Sequence, residues 1–187
     1  MRRPLSLLLS YLLLPLLLVA AQALAADGAP ADIENQVKAS YLYKFATYVD
    51  WPAGDSVPAG APITIGVIGA DSLGEELKKL SAKYPVKNRP VQVRMLKAGA
   101  ALDGLQMLFV GQRADARAQP LFDSVSGQAV LTITESAGML AAGSIINLVL
   151  IDDRVRFEVS LSHAKTNGLK ISSRLLDVAY KIEGKAQ

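Results

Sequence analysis

Ile63-Thr64-Ile65-Gly66-Val67-Ile68 is a six-residue run in which only Gly66 is not β-branched. Such a run fits a strand buried on both faces of a parallel sheet. Gly69-Ala70-Asp71-Ser72 turns the chain, with Asp71 placed to cap a helix. Leu73, Leu77 and Leu80 then recur at helical spacing. Glu75 and Glu76 lie near the start of that helix and Lys78, Lys79 and Lys83 near its end, which complements the helix dipole. This strand–turn–helix unit sets the expectation for the whole chain.

Toward the C-terminus, Pro90 to Leu96 alternates and reads as a second strand. Gln106 to Val110 and Ala129 to Ile133 read as a third and fourth, separated by a weakly patterned helix from Asp115 to Asp123. Ile145 to Ile151 and Arg154 to Val159 flank Asp152-Asp153 as a hairpin. In its second arm Val155, Phe157 and Val159 share one face, and Arg154, Arg156 and Glu158 the other. Leu161 to Thr166 is a short helix stopped by Asn167-Gly168. Ser172 or Ser173 caps a last helix carrying Leu175, Leu176, Val178, Ala179 and Ile182, closed by Gly184.

Toward the N-terminus, Ala53 to Pro62 reads as a loop. Before it, Asp32 is placed as the N-cap of a helix with Ile33, Val37, Tyr41, Phe45 and Tyr48 on its apolar stripe, ended by Trp51-Pro52. Strands alternating with helices predict a single α/β domain over residues 32–187. Its sheet is mixed but mostly parallel, helices cover both faces, and the C-terminal hairpin adds an antiparallel edge.

Residues 1–25 stand apart. Arg2 and Arg3 precede an apolar stretch from Leu5 to Ala20, and Ala23-Leu24-Ala25 supplies small residues for cleavage between Ala25 and Ala26. These are the parts of a secretory signal peptide. Ala26 to Ala31 reads as a mobile tail. The export signal places the protein in the bacterial periplasm, with no direct membrane insertion after cleavage. The formal charge of the 187 residues is +3. Without the leader, 162 residues carry 18 basic and 17 acidic side chains. That balance excludes nucleic-acid binding driven by bulk charge.

Catalytic groups are scarce. The chain has no cysteine and one histidine, His163, without a nucleophile-elbow motif beside it. One histidine cannot make a zinc site, so no catalytic, cofactor or metal residue is assigned. Gly66, Gly69 and Gly74 do not fit a phosphate-binding pattern. The strand-end junction at Gly69 to Ser72, with Arg94, Arg154 and Arg156 as anion contacts, leaves a small-ligand-binding module as the alternative function. The densest feature is aromatic: Tyr41, Tyr43, Phe45, Tyr48 and Trp51 fall within eleven residues. Exposed Tyr and Trp favour protein interfaces. Tyr41, Lys44, Tyr48 and Trp51 are therefore the candidate partner contacts, with Arg154 and Arg156 second. Five basic residues, Lys165, Lys170, Arg174, Lys181 and Lys185, give the C-terminal stretch a basic excess.

In their order and spacing these segments resemble the YfiR-like periplasmic proteins. The resemblance rests on Tyr48-Val49-Asp50-Trp51-Pro52, Ile63-Thr64-Ile65-Gly66-Val67-Ile68-Gly69 and Arg89-Pro90-Val91-Gln92-Val93-Arg94. It continues through Gly143-Ser144-Ile145-Ile146-Asn147-Leu148, Arg154-Val155-Arg156-Phe157-Glu158-Val159 and Gly168-Leu169-Lys170-Ile171-Ser172-Ser173-Arg174-Leu175-Leu176. It implies an α/β sandwich that dimerises. It also implies a non-enzymatic repressor that binds the periplasmic sensor part of an inner-membrane diguanylate cyclase, lowering cyclic di-GMP and biofilm formation. Such proteins often carry a cysteine where this chain has Gln106, and some use disulfides as a redox input, which this chain cannot. They also favour a second glycine where Ser144 stands and asparagine where Ser160 stands. Mass spectrometry of the exported protein is expected to find a chain beginning at Ala26; one that retains Met1 contradicts the leader.

Overall fold

The computed structural model describes residues 30–52 and 60–184. The leader and its Ala25/Ala26 cleavage site lie outside the described residues, as does most of the Ala53 to Pro62 loop. The chain divides into units at Met1–Ile33 and Glu34–Gln187, and of the first only Pro30–Ile33 are described, as the opening turn of a helix.

That helix, α1, runs Pro30–Tyr48. It starts inside the stretch expected to be a mobile tail, and Asp32 lies in its first turn rather than capping it. Proline suits the first helical position, where its missing N–H has no partner to lose. The strands β1 (Val49–Asp50), β2 (Ile63–Ile68), β3 (Val91–Met95), β4 (Met107–Val110) and β5 (Leu131–Thr134) come next in order. Helix α2 (Asp71–Ser81) comes after β2, and a 3-10 turn (Gln112–Arg117) with helix α3 (Ala118–Val125) after β4. The chain closes with β6 (Ile146–Ile151), β7 (Arg154–Ser160), α4 (Leu161–Thr166), β8 (Lys170–Ile171), α5 (Ser173–Leu176) and β9 (Lys181–Glu183).

Seven strands form one sheet in the order β3-β2-β4-β5-β6-β7-β9. β2 to β6 pair in parallel, β6 with β7 antiparallel, and β9 parallel to β7. All six residues of β2 are buried, as a central strand requires. Ile65, Val67, Met107, Phe109, Leu131, Ile133, Phe157 and Val159 meet α1 and α2 on one face. Ile68, Leu108 and Val110 meet Ala114, Ala118 and Phe122 on the other. Helices therefore cover both faces of a mixed, mostly parallel sheet, as the alternation of elements predicts.

Three local expectations are corrected. The hairpin is not the edge, because β9 lies outside β7. The expected last helix is four residues long, capped by the Ser172 side chain, and Ile182 belongs to a strand. Lys181-Ile182-Glu183 alternates with period two, which a helical template overlooks. Third, Ile33 and Val37 are 55% and 39% exposed. The buried stripe of α1 is Ala39, Leu42, Phe45 and Ala46, because aliphatic and phenyl groups need no polar partner while the tyrosines take the stripe's borders. The antiparallel pair β1–β8 is an addition that the sequence pattern does not predict.

The hairpin turn itself is confirmed. Asp152 and Asp153 have φ of 47° and 56°, the two left-handed residues that a type I′ turn needs. At the C-terminal end of β2, Gly69, with φ of 73°, packs under the 3-10 turn. A Cβ there would lie 2.8 Å from the Ala114 Cβ and 2.9 Å from the Ala114 nitrogen. Gly69→Ala is expected to lower stability by about 2 kcal/mol or more, read by urea denaturation, since strain and overpacking add.

Candidate partner-binding surface

The type I′ turn projects β6 and β7 as a twisted ribbon, and strand alternation sends Arg154 and Arg156 to the face away from Phe157 and Val159. Both arginines are exposed, and neither guanidinium makes a hydrogen bond or ion pair among the described residues. With Ile151, Asp152 and Tyr180 they line a recess of about 410 Å3. Tyr180 is 55% exposed, and its backbone N–H donates to the Phe157 carbonyl at 2.8 Å. Unpaired guanidinium groups beside an exposed phenol suit a protein surface that carries carboxylates.

The aromatic segment does not join this patch. The Tyr41 hydroxyl donates to the Val155 carbonyl at 3.2 Å. Its ring lies 5.9 Å from that of Phe45 and 5.6 Å from that of Phe157. Tyr41 thus clamps α1 to β7 from the face opposite the arginines. Lys44 is exposed, with Nζ 5.8 Å from the Tyr41 ring centroid. Four residues beyond Lys44 and on the same face of α1, Tyr48 offers its carbonyl to the Ser172 N–H. Trp51 donates its indole N–H to the Gln106 carbonyl at 3.2 Å. The six predicted contact residues therefore fall in three places: Arg154 with Arg156 on the hairpin, Tyr41, Lys44 and Tyr48 along one face of α1, and Trp51 beyond its end. Only Lys44 and the two arginines present unpaired charge. Tyr43 has a buried hydroxyl without a partner among the described residues, and burial raises its pKa.

Gln106 occupies the position where YfiR-like proteins often have cysteine. Its side-chain carbonyl accepts the Thr64 N–H at 2.7 Å, and its own N–H donates to the Thr64 carbonyl at 3.0 Å. Its main-chain carbonyl also accepts the Leu131 N–H at 2.9 Å. The amide thus performs strand pairing that a thiol cannot. Ser160 caps α4 by accepting the His163 N–H, a role asparagine shares. Ser144 is fully buried and donates to the Ile146 carbonyl at 2.7 Å, while the Thr134 hydroxyl donates to Asn147 Oδ1 at 2.8 Å.

His163 is half-buried, with Nδ1 3.2 Å from the Ser144 carbonyl. No cluster of three or more metal-binding side chains occurs among the described residues. At the strand-end junction, the basis of the alternative small-ligand reading, Asp71 does not cap the helix as expected. Asp71 is the first residue of α2 and takes Arg113 Nη2 at 2.7 Å, while Arg113 Nε donates to the Gly69 carbonyl. The Arg94 guanidinium donates to the carbonyls of Ala101 and Asp103.

One charged cluster has no signature in the sequence because its members lie 97 residues apart. Lys38 Nζ meets Glu135 Oε2 at 2.6 Å and Glu34 Oε1 at 2.5 Å, and Glu135 Oε1 accepts the Gln112 N–H at 3.2 Å. The Lys38 and Glu135 side chains are 12% and 11% exposed. They border a cleft of about 430 Å3 whose far wall includes Leu148, Leu150 and Val155. Burial pulls the Lys38 ammonium down, and the hydrogen bonds and charges of Glu135 and Glu34 outweigh it, so the group stands above the usual 10.5. A raised value means that this stabilisation is complete below 10.5 and fades as pH rises through the folded-state value. Lys38→Met leaves Glu135 without its cation and is expected to cost about 3 kcal/mol at pH 7. Urea denaturation of both proteins should show that difference shrinking above pH 10.5.

Residues 35–180 match the family model described as YfiR/HmsC-like. That family is a periplasmic regulatory domain with no known enzymatic activity. Among the described residues no helix is long and apolar enough to cross a membrane. Among solved structures, the ABC domain in complex with L-Trp from Streptococcus pneumonia is 10% identical with a TM-score of 0.48. The match covers 64% of this chain and 55% of that one, so the chain spans about half its length, and the likeness carries no argument. The family match covers most of the chain, which belongs to the YfiR/HmsC-like family.

Proposed function

We propose that the chain is exported, cleaved after Ala25, and acts in the periplasm as a non-enzymatic repressor. It binds the periplasmic sensor part of an inner-membrane diguanylate cyclase and, as a pair of chains, holds the enzyme inactive. Cyclic di-GMP and biofilm formation fall as a result. Family membership over residues 35–180 carries this reading. The geometry supports a binding role: Arg154, Arg156 and Tyr180 are exposed around one recess on a hairpin that α1 braces from behind.

The test is direct binding of the purified protein to the solubilised cyclase. Arg156→Glu is expected to weaken retention about tenfold or more, as expected for an interfacial arginine. Lys44→Glu should weaken it less, and both variants should keep the native circular dichroism spectrum. A native protein that retains no cyclase would overturn the proposal. Undiminished binding by Arg156→Glu would move the contact surface elsewhere.

A further inference from the structure

β9 ends the seven-stranded sheet, and no described strand lies beyond it. The Tyr180 N–H points toward β7, donating to Phe157. Along β7 the backbone groups of Phe157 and Val159 face β9, and the parallel register Val159↔Ile182 turns Lys181 and Glu183 toward β7, so Ile182 aims its N–H and C=O groups outward. Their side chains are 54% and 41% exposed and meet each other at 2.6 Å. Ile182 is half-exposed and belongs to neither core cluster. Val178 and Tyr180, just before the strand, are 62% and 55% exposed. This is a short edge with open backbone groups, one apolar side chain between two opposite charges, and exposed apolar neighbours.

We propose that β9 pairs antiparallel with β9 of a second copy, across a two-fold axis at Ile182, joining two sheets into one. A two-fold interface must be complementary to itself. Lys-Ile-Glu meets that requirement: antiparallel pairing about Ile182 sets Lys181 opposite Glu183 of the second copy, twice. Opposite charges across strands stabilise such a pair and like charges destabilise it. Parallel pairing would set lysine on lysine. The outward N–H and C=O groups of Ile182 are those that this register pairs, each bonding to Ile182 of the second copy. A charged edge can also serve to repel other strands, but a single sign serves that purpose, and opposite signs two residues apart do not. The opposite edge, β3, reads Val-Gln-Val-Arg-Met and has no such symmetry.

This inference rests on the two-copy form proposed above and not on the identity of the cyclase. The absence of cysteine makes the test clean, because Ile182→Cys carries the only thiol. Directly opposed residues in a hydrogen-bonded antiparallel pair have Cα atoms about 5.5 Å apart, within disulfide reach. Mild oxidation should convert Ile182→Cys to a covalent dimer nearly completely, while Tyr84→Cys, also exposed, should not cross-link. Lys181→Glu and Glu183→Lys should each weaken dimerisation about tenfold, and the double reversal should restore it. Light scattering that finds only monomer for the native chain overturns the two-copy form itself. A native dimer whose Ile182→Cys variant fails to cross-link, or whose double reversal fails to restore association, overturns the pairing through β9 and leaves the two-copy form standing.

Discussion

The hydrogen bonds of Gln106 hold the architecture to one register. Through its backbone and side-chain amide it is bound twice to Thr64 of β2, once to Leu131 of β5, and once to the Trp51 indole just beyond α1. Three parallel strands and the end of the covering helix are thus fixed at a single residue. Buried amide groups left unpaired cost about 1–3 kcal/mol each, so the arrangement resists slippage by one residue. With the far end of α1 fixed, Tyr41 falls on β7, and its ring completes an aromatic group with Phe45 and Phe157. The helix then braces the hairpin from one face and leaves Arg154 and Arg156 free on the other.

The same residue separates this chain from its relatives' chemistry. YfiR-like proteins often have cysteine at this position, and some pass redox state through disulfides. Here an amide occupies the position and serves strand pairing, and the chain contains no thiol at all. The strand-end junction that α/β folds often reserve for ligands is filled by Gly69, the 3-10 turn and Arg113. That packing directs attention to the hairpin recess and the sheet edge.

Much of the fold is legible in the sequence. The β-branched run of β2 announces a central strand, and Asp152-Asp153 between apolar arms announces the hairpin. The arginine face of β7 comes from alternation alone. The hidden features have physical reasons. β9 is three residues long and lies just after a short helix, so the apolar positions of both merge into one helical pattern. The tyrosines of α1 match the stripe by spacing, but their hydroxyls need polar partners, which moves the buried stripe to Ala39, Leu42 and Ala46. The Lys38–Glu135 cluster and the Gln106 bonds join segments far apart in the chain, and no local pattern encodes them. Of the six candidate contact residues, Lys44, Arg154 and Arg156 are exposed as expected. Tyr41 and Trp51 are half-exposed and hydrogen-bonded, through the phenol hydroxyl and the indole N–H.

The account's central claim is that this protein represses a cyclase by binding it. The most direct test is the cyclic di-GMP content of cells lacking the gene, measured by mass spectrometry. The account predicts a rise, reversed by the native chain and insensitive to thiol reductants in the medium. Unchanged cyclic di-GMP on deletion would contradict it.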